Sequence, residues 1–397
     1  MKPIVVQKYG GSSLATTEKV QNVARRIADT VAQGKRVVAV VSAMGKTTNT
    51  LLAQAKELSD NPNPRELDML LSVGERISTA MLGIALDELG LPAVSFTGSQ
   101  AGIITNARHN RARIVEVRAF RVMDELDAGK VVIVAGYQGV SYAREITTLG
   151  RGGTDTTAVA LAAALNAEYC EIMSDVDGVY TSDPRIVEDA SRLDAIDHEE
   201  MVALARHGAR VLHPECVEYA SRHKVALFAK ATFGPRDDKG TVVRQNPTSP
   251  DRPVLAIAHR KNIVEVTVSG GQDGGALVEK LAEAGIFPTL AEFQSDKAIV
   301  WIPPDDAHRL SAVESELVEA FGDRVRIGHD HGTVTLIGHG LGAETDVIRR
   351  CWAIAERLIG GDVHCVLGPM AISWKIPEQH VEQFVQLTHD ELIENWS

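Results

Sequence analysis

The chain opens its first strand-turn-helix unit with Ile4-Val5-Val6-Gln7-Lys8-Tyr9-Gly10-Gly11-Ser12-Ser13. The run Ile4–Tyr9 is rich in β-branched residues, which predicts a buried strand, and Gly10-Gly11 predicts a tight turn. Thr17–Ala32 follows with apolar residues at helical spacing, and Arg36–Ser42 is a second apolar run. Apolar strands that alternate with helices are typical of a mostly parallel sheet covered on both faces. This stretch therefore predicts an α/β fold.

The same alternation continues to about residue 230. Further strands are predicted at Ala93–Thr97, Val131–Gly136, Glu168–Ser174 and Val225–Ala229. Further helices are predicted near Thr50–Leu58, Glu66–Leu89, Val115–Asp127, Thr156–Leu165 and Glu199–His207. The segment from Gly234 to Pro253 contains Pro235, Pro247, Pro250 and Pro253, and it predicts a linker. We therefore expect a first domain over residues 1–245 and a second over residues 251–397.

The second domain contains a weak internal duplication. Val264–Val268 and Thr333–Ile337 are both alternating strand patterns, and Ala298–Pro303 is echoed by Ala371–Pro377. The duplication predicts two α+β modules with the order strand-helix-strand-strand-helix. Chance similarity between two amphipathic segments is the alternative. The predicted modules span about residues 263–330 and 331–397.

Composition excludes several classes of protein. With 397 residues, the chain is long enough for two or three domains. Its net charge of −12 argues against nucleic-acid binding, because a surface that binds phosphate backbones is normally basic. No apolar run reaches about 18 residues, so no membrane span is expected, and the N-terminus becomes polar too soon for a signal peptide. The four cysteines lie far apart, as in a reducing compartment, and we expect a cytoplasmic protein.

Polar and glycine-rich segments follow four of the predicted strands. In open α/β sheets, ligands bind outside the carboxyl ends of the strands, so these segments are expected to meet at one edge. Glycine, hydroxyl and charged residues in such a place are suited to an anion-binding crevice. The segments are Lys8–Ser13, Ser42–Asn49, Gly136–Gly139 and Ser174–Gly178.

The first of these segments is suited to phosphate chemistry. Gly10-Gly11 allows the backbone to approach a ligand and to point its N–H groups at phosphate oxygens. Lys8 is placed to neutralise charge on a transferring phosphoryl group. A plain tight turn is the alternative. Two common nucleotide motifs fail: Gly45-Lys46-Thr47 lacks the P-loop glycine at Val40, and Gly150–Asp155 ends in aspartate rather than in the last dinucleotide-binding glycine.

Three further motifs carry candidate site residues. In Gly150–Thr157, Arg151 offers a planar fork suited to a carboxylate, although Thr154 or Asp155 could simply cap a helix. From its residue type alone, Glu75 in a predicted helix is best interpreted as a solvated charge. In Ser174–Arg185, two aspartates could act on Mg²⁺ indirectly, a tyrosine could contact a purine and an arginine could contact phosphates. The alternative there is an Asp/Gly turn.

Other chemistry-bearing residues are interpreted as structural. The spacing of His207, His213 and Cys216 matches no zinc site, so capping or core packing is favoured. The repeated Trp301 and Trp374 are interpreted as packing residues of the two modules.

Five motifs together closely resemble the aspartate kinases of the amino-acid kinase family. The resemblance runs from about Val5 to Lys230, with the motifs in the family's order and spacing. It implies a mostly parallel α/β/α sandwich that phosphorylates the side-chain carboxylate of L-aspartate with ATP and Mg²⁺. The five motifs are Lys8–Ser13, Ser42–Gly45, Gly74–Ser78, Gly150–Asp155 and Ser174–Arg185.

The resemblance also implies residue roles. Lys8 and Asp155 would be catalytic, with Asp155 organising Mg²⁺ indirectly. Glu75 would bind the substrate ammonium, which reverses the interpretation from its residue type, and Arg151 would bind the α-carboxylate. The implied substrate-binding residues are Thr48, Glu75, Arg151, Gly152, Gly153 and Thr154. The implied nucleotide-binding residues are Lys8, Gly10, Gly11, Ser12, Ser42, Ser174, Asp175, Tyr180, Asp183, Arg185 and Arg210, the last standing where family members often have lysine.

The C-terminal pair resembles the ACT modules with which aspartate kinases sense amino-acid end products. Pro288–Gln294 lacks the Gln-Asn pair that commonly helps to hold the effector, and Val366–Met370 also departs from the usual polar pattern. The hypothesis is that the modules support a homodimer or higher oligomer and respond weakly to lysine or threonine. Two alternatives to an aspartate kinase are a related kinase with a changed carboxylate acceptor and a catalytically silent amino-acid sensor.

Overall fold

The computed structural model describes residues 2–247, 252–270, 273–304, 307–360 and 363–396. The chain divides into two compact units. The first unit comprises Met1–Val179, Arg192–Val202 and Arg210–Ser249. The second unit comprises Tyr180–Ser191, Ala203–Ala209 and Pro250–Ser397. Two segments from the range predicted as the first domain thus belong to the second unit, and the predicted domain limits remain a prediction.

The first unit alternates strands and helices. Its strands are β1 (Ile4–Tyr9), β2 (Arg36–Val41), β3 (Ala93–Phe96), β4 (Ile103–Thr105), β5 (Ile114–Val117), β6 (Val131–Ala135), β7 (Gln138–Ser141), β8 (Ile146–Thr148), β9 (Tyr169–Ser174), β10 (Ala195–Ile196), β11 (Leu227–Ala231) and β12 (Thr241–Val243). Its helices are α1 (Thr17–Ala32), α2 (Thr47–Leu58), α3 (Pro64–Leu71), α4 (Val73–Glu88), α5 (Phe120–Asp127), α6 (Gly153–Ala164), the first part of α7 (His198–Arg206) and α8 (Pro214–His223).

An eight-stranded sheet forms the framework of this unit, with the order β10-β12-β11-β9-β1-β2-β6-β3. β1 pairs in parallel with β2 and with β9, so the three strands end at the same edge. β12 runs antiparallel to β11. The α/β class with a mostly parallel sheet that the sequence predicts is confirmed.

The core of the first unit follows from the periodicity of α1. Its residues Val20, Val23, Ala24 and Ile27 are at most 2% exposed and pack with β1, β2 and α4 in one apolar cluster. Each fully buried Val or Ile side chain contributes about 1.5–3 kcal/mol relative to exposure. The Thr16 hydroxyl caps α1 by accepting from the Lys19 N–H. The sheet and α1 therefore form a closely packed base for the loops at the strand ends.

The structure differs from the predicted elements in three places. The predicted helix Glu66–Leu89 is two helices, α3 and α4, with the break at Ser72, whose carbonyl accepts from the Gln138 side chain. The predicted helix Val115–Asp127 begins as β5, because the β-branched run pairs with β4. The predicted linker contains β12, which joins the main sheet.

A second, four-stranded sheet in the first unit was not predicted. Its order is β5-β4-β7-β8, and β7 and β8 form an antiparallel pair. Its strands are only three or four residues long, too short for a clear hydrophobic period. The sheet matters for function because β8 leads directly into Gly150–Gly153.

The second unit contains a six-stranded antiparallel sheet with the order β14-β15-β13-β16-β18-β17. Its strands are β13 (Ala256–Ser269), β14 (Leu290–Phe293), β15 (Lys297–Ile302), β16 (Val325–Ile337), β17 (His364–Leu367) and β18 (Ala371–Pro377). Its helices are the end of α7, α9 (Gly274–Glu283), α10 (Ala307–Phe321), α11 (Thr345–Ile359) and α12 (Val381–His389).

The two predicted modules share their long strands. Val264–Ser269 of β13 pairs with β15, whereas Ala256–Arg260 pairs with the end of β16 that also pairs with β18. The pairing shifts register between Arg260 and Glu265. The second module thus includes the strand segment Ala256–Arg260 from before residue 263, and the sheet is continuous across the duplication.

Trp301 and Trp374 occupy equivalent places in the duplication and are fully buried. Trp301 Nε1 donates to Glu265 Oε2 at 2.9 Å, and the Trp374 ring packs against Phe384. Both observations agree with their interpretation as packing residues.

One stretch, Pro64–Glu88, is long and apolar enough by length and composition to cross a membrane. A buried helix of a soluble protein passes the same test. This stretch is interrupted at Ser72, and it contains the buried Asp68 and Glu75. It is therefore weak evidence for a membrane span.

Candidate active site

The loops that follow β1 and β2 are packed against each other at the edge of the main sheet. The Gly45 N–H donates to the Gly11 carbonyl at 3.0 Å. A Cβ atom on Gly11 would lie 2.8 Å from the Ala43 carbonyl oxygen, so only glycine allows this approach. Ser42 donates its N–H to the Tyr9 carbonyl. The first two strand-end segments of the sequence therefore form one structure.

Lys8 and Asp155 form an ion pair at this edge. Lys8 Nζ lies 2.6 Å from Asp155 Oδ1, and the two side chains are 12% and 13% exposed. Asp155 is in the first turn of α6, and a Cβ atom on Gly10 would lie 3.6 Å from Lys8 Nζ. The predicted catalytic pair is thus adjacent to the predicted phosphate-binding turn.

Glu75 is buried in α4, where its Oε1 accepts from the Ala43 N–H at 3.2 Å. Its Oε2 is also buried and has no hydrogen-bond partner among the described residues. Burial raises the pKa of Glu75 to about 7. A buried carboxylate oxygen without a donor is suited to accept from a cationic ligand. The interpretation of Glu75 as a solvated charge is wrong.

The turn before α6 contains the remaining predicted substrate residues. Gly152 has a φ of +72°, and a Cβ atom there would lie 2.2 Å from the His213 ring. A Cβ atom on Gly136 would lie 2.5 Å from Thr154 Cγ2, so the end of β6 contacts α6 closely. Arg151 is exposed in the same turn. Because Asp155 of α6 pairs with Lys8, Arg151 and Lys8 belong to the same end of the sheet.

Tyr137 adjoins this turn. It has a φ of +65°, which a non-glycine residue adopts at a cost, and such strain is frequent at functional sites. A Cβ atom on Gly153 would lie 2.9 Å from the Tyr137 ring. Burial raises the pKa of the Tyr137 hydroxyl, and the negative charges of Glu75 and Asp68 raise it further. Tyr137 therefore lies near the Glu75 carboxylate and against the arginine-bearing turn.

Asp68 is a third carboxylate in this region and is fully buried. Its Oδ1 accepts from the Asn110 N–H at 3.0 Å and from the Thr148 hydroxyl. Its Oδ2 lies 2.6 Å from His109 Nδ1. No sequence motif pointed to Asp68, because a single aspartate in a helical pattern carries no signal of burial.

The other predicted residues are distributed over both units. Thr48 is half-buried in the first turn of α2, and Ser12 is exposed beside Gly11. Ser174 accepts from the Val176 N–H in the turn after β9, where Asp175 is exposed. Arg210 is exposed in the first unit.

Tyr180, Asp183 and Arg185 belong to the second unit. Arg185 donates to both carboxylate oxygens of Asp183, and this hydrogen bonding lowers the pKa of Asp183. The Arg185 side chain is 85% exposed. The roles predicted for these three residues at the nucleotide remain predictions.

The geometry of the first unit combines three chemical features at one edge of a parallel sheet. A paired ammonium lies beside a glycine turn, a buried carboxylate oxygen has no donor in the described ranges, and an exposed guanidinium lies in a turn beside Tyr137. Such an arrangement can bind an anion next to a small molecule that carries both an ammonium and a carboxylate.

Comparisons with known proteins find similarity over most of the chain. A family model described as the amino acid kinase family matches residues 3–229. The aspartokinase of Mycolicibacterium smegmatis is 41% identical, with 98% of this chain and 95% of the relative covered. The aspartokinase of Corynebacterium glutamicum is 44% identical over 85% of this chain and 84% of that protein.

Solved structures are similar over almost the whole chain. The structure of Escherichia coli aspartokinase III in complex with aspartate and ADP, in its R-state, matches with a TM-score of 0.81 and 26% identity. It covers 98% of this chain and 99% of the solved chain. The structure of the same enzyme in complex with lysine and aspartate, in its T-state, matches with a TM-score of 0.77, the same identity and the same coverage.

Proposed function

The chain belongs to the amino acid kinase family, and from this premise we propose that it transfers the γ-phosphoryl group of ATP to the side-chain carboxylate of L-aspartate. The product is 4-phospho-L-aspartate. The observation that carries the proposal is the Lys8–Asp155 ion pair beside Gly10 at the carboxyl edge of the sheet. The ion pair keeps the Lys8 ammonium in place and partly shielded from water. At this position, a transferring phosphoryl group would need its negative charge neutralised.

The acceptor explains why the site needs no catalytic base. A side-chain carboxylate with a pKa of about 4 is already an anionic nucleophile at neutral pH. The protein therefore has to align this carboxylate with the γ-phosphorus and to offset the repulsion between two anions. We assign the second task to Lys8 and to the backbone N–H groups of Gly10, Gly11 and Ser12.

Recognition of the amino acid is assigned to the opposite side of the site. The Glu75 carboxylate would accept from the substrate ammonium through its partnerless Oε2. Arg151 would bind the α-carboxylate through its guanidinium, while Gly152 and Gly153 allow the substrate to approach the backbone. Thr48 and Thr154 would position the bound amino acid.

The donor set is compatible with Mg²⁺ that is bound mainly through phosphate oxygens. Mg²⁺ usually keeps several waters and takes one or two carboxylates plus substrate phosphates. Within the described ranges, no group of three or more His, Cys, Asp or Glu side chains could hold a metal. Asp155 already pairs with Lys8, so we assign it an indirect role in organising the ion. Mg²⁺ bound with ATP would supply further neutralisation of phosphate charge.

Nucleotide binding is assigned to residues around the glycine turn and the end of β9. In the first unit these are Ser42, Ser174, Asp175 and Arg210, together with Lys8 and the glycine turn. Tyr180, Asp183 and Arg185 are further candidates. Support comes from the similarity to an aspartokinase structure that contains ADP.

Regulation is assigned to the second unit. A similar aspartokinase structure contains lysine in its T-state, which supports an amino-acid effector for this chain. We assign the paired modules a role in a homodimer or higher oligomer of a cytoplasmic enzyme that serves lysine and threonine synthesis. The altered Pro288–Gln294 and Val366–Met370 segments favour a weak response. Strong inhibition by lysine or threonine at low millimolar concentration would contradict this part of the proposal.

A hydroxamate assay tests the main proposal. The assay traps acyl phosphates and would use ATP, Mg²⁺ and a panel of acidic amino acids. Aspartate is the expected acceptor. A preference for glutamate would favour the kinase with a changed acceptor, and no product with any acceptor would favour a silent sensor. Either result would overturn the proposal.

A further inference from the structure

We infer that Asp68 is a positioning residue that fixes the spacing between the two groups that recognise the amino acid. This inference deepens the proposed function and rests on it. The observation that carries it is the contact of the buried Asp68 carboxylate with the Thr148 hydroxyl. Both residues are fully buried.

The contact joins the segments that carry Glu75 and Arg151. Asp68 lies in α3, and the chain passes through Ser72 directly into α4, which bears Glu75. Thr148 is the last residue of β8, three residues before Arg151. The bond between Asp68 and Thr148 therefore fixes the end of β8 to the base of the helix that carries Glu75.

Two further hydrogen bonds strengthen the same connection. Gln138 Nε2 donates to the Ser72 carbonyl at 2.8 Å, at the break between α3 and α4. The Leu149 N–H donates to the Tyr137 carbonyl at 2.8 Å, so the residue after Thr148 is bound to the strained Tyr137. Together with the Asp68–Thr148 contact, these hydrogen bonds connect the helix that bears Glu75 with the turn that bears Arg151.

The other donors to Asp68 come from one loop. His109 Nδ1 and the Asn110 N–H contact the carboxylate, and Asn110 has a φ of +63°. The next loop residues continue the link, because the Ala112 N–H donates to the Thr148 carbonyl at 3.0 Å. The loop therefore holds both partners of the Asp68–Thr148 contact in place, and the loss of the Thr148 hydroxyl removes the direct link between them.

Neighbouring threonines on β8 provide a matched test. Thr148→Val removes the hydroxyl that donates to Asp68 and keeps the side-chain shape. Thr147→Val is the control, because Thr147 is equally buried and its hydroxyl bonds to Thr105 on the opposite face of the strand. Thr148→Ser retains the hydroxyl and is the rescue variant. The measurements are kcat, the KM values for aspartate and ATP, and the thermal unfolding midpoint.

The expected result is a selective effect on aspartate. Thr148→Val should raise the aspartate KM about tenfold, the loss typical of one buried hydrogen bond to a charged group, with the ATP KM changed less than about twofold. Thr148→Ser should restore the aspartate KM. Thr147→Val should lower the unfolding midpoint without this selective effect.

Three results would overturn the inference. These are an unchanged aspartate KM in Thr148→Val, equal changes in both KM values, and the same selective effect in Thr147→Val. Should Thr148→Val fail to fold, Thr148→Ala removes the hydroxyl without extra bulk and is judged by the same criteria. A wild-type protein that does not phosphorylate aspartate would instead refute the proposed function, so the two failures are distinguishable.

Discussion

Two carboxylates at the same edge of the sheet, the buried Glu75 and the partly buried Asp155, differ in the charges around them. Asp155 has a lysine ammonium 2.6 Å away. Glu75 accepts from the Ala43 N–H at 3.2 Å, its Oε2 has no hydrogen-bond partner among the described residues, and burial raises its pKa to about 7. Asp155 therefore has its own counter-charge, whereas Glu75 forms no ion pair within the part of the chain that the structure describes. This difference supports the proposed role of Glu75 in binding the substrate ammonium.

The largest expected effect is on the Asp155 side. Lys8→Ala should lower kcat at least about 10³-fold, because it removes the ammonium that offsets phosphoryl charge. The measurement is the hydroxamate rate at saturating aspartate and ATP. A loss smaller than about tenfold would contradict the assignment of Lys8 as the charge-neutralising group.

Lys230 offers a matched control for that variant. Lys230 Nζ pairs with Glu171 at 2.8 Å, with side-chain exposures of 14% and 8%, close to those of the Lys8 pair. Glu171 also bonds to Gln7, the neighbour of Lys8 on β1, so this pair lies on the opposite face of the sheet. Lys230→Ala should lower the unfolding midpoint without a comparable loss of kcat. Equal losses of kcat would mean that the effect of Lys8→Ala is structural.

The next effect concerns substrate recognition. Arg151→Ala should raise the aspartate KM about 30- to 100-fold, the loss of a charge-assisted bidentate bond, with the ATP KM changed less than about threefold. Steady-state kinetics in both substrates give this ratio. Arg25→Ala, which removes an exposed arginine on α1, is the control and should change neither KM. Equal changes in both KM values after Arg151→Ala would assign Arg151 another role.

The bounds of helices and strands are predicted most reliably where the local residue pattern agrees with the burial of the element in the fold. β1 and α1 begin and end where they were predicted, because a β-branched run and a helical period each leave one compatible structure. The break at Ser72 was missed, because it depends on the side chain of Gln138, which is 66 residues away in the chain. The spacing of apolar residues along a helix carries no information about a contact with a residue so far away in the chain.

The candidate site follows the same rule. The positions of Lys8 and the glycine turn could be predicted from the end of β1 and the segment after it, whereas the burial of Glu75 could not. Glu75 is buried because α4 approaches the loop after β2 at Gly74, where a Cβ atom would lie 2.7 Å from Ala43 Cβ. The glycine beside Glu75 was the one local signal of that approach. Asp68 offered no comparable signal, since its partners are a loop and a strand far along the chain.

The smallest expected effect is on the pH dependence of kcat/KM for aspartate. It tests the difference between Glu75 and Asp155 most directly. With a pKa of about 7, Glu75 is mostly protonated at pH 6 and mostly ionised at pH 8. Only the ionised form attracts the substrate ammonium, so kcat/KM for aspartate should rise about tenfold between pH 6 and pH 8. Glu75→Gln should remove this rise. Glu88→Gln, at an exposed position of the same helix, should keep it, and a rise that persists in Glu75→Gln would assign the titration to another group.

The ionisation of Glu75 should also lower the stability of the folded protein as pH rises, whereas it raises kcat/KM for aspartate. The pKa of Glu75 lies above its usual value of 4.5, so the folded state holds this proton more tightly than the unfolded chain. The free energy of unfolding therefore falls as pH rises from about 4.5 to 7, by up to about 3 kcal/mol. Glu75→Gln removes that penalty and should gain stability relative to the wild type between pH 5 and pH 8, as measured by urea unfolding. If Glu75→Gln is more stable than the wild type but binds aspartate less tightly, the buried carboxylate of Glu75 costs stability and serves substrate binding. A stability difference between the two proteins that stays constant over this pH range would contradict this interpretation.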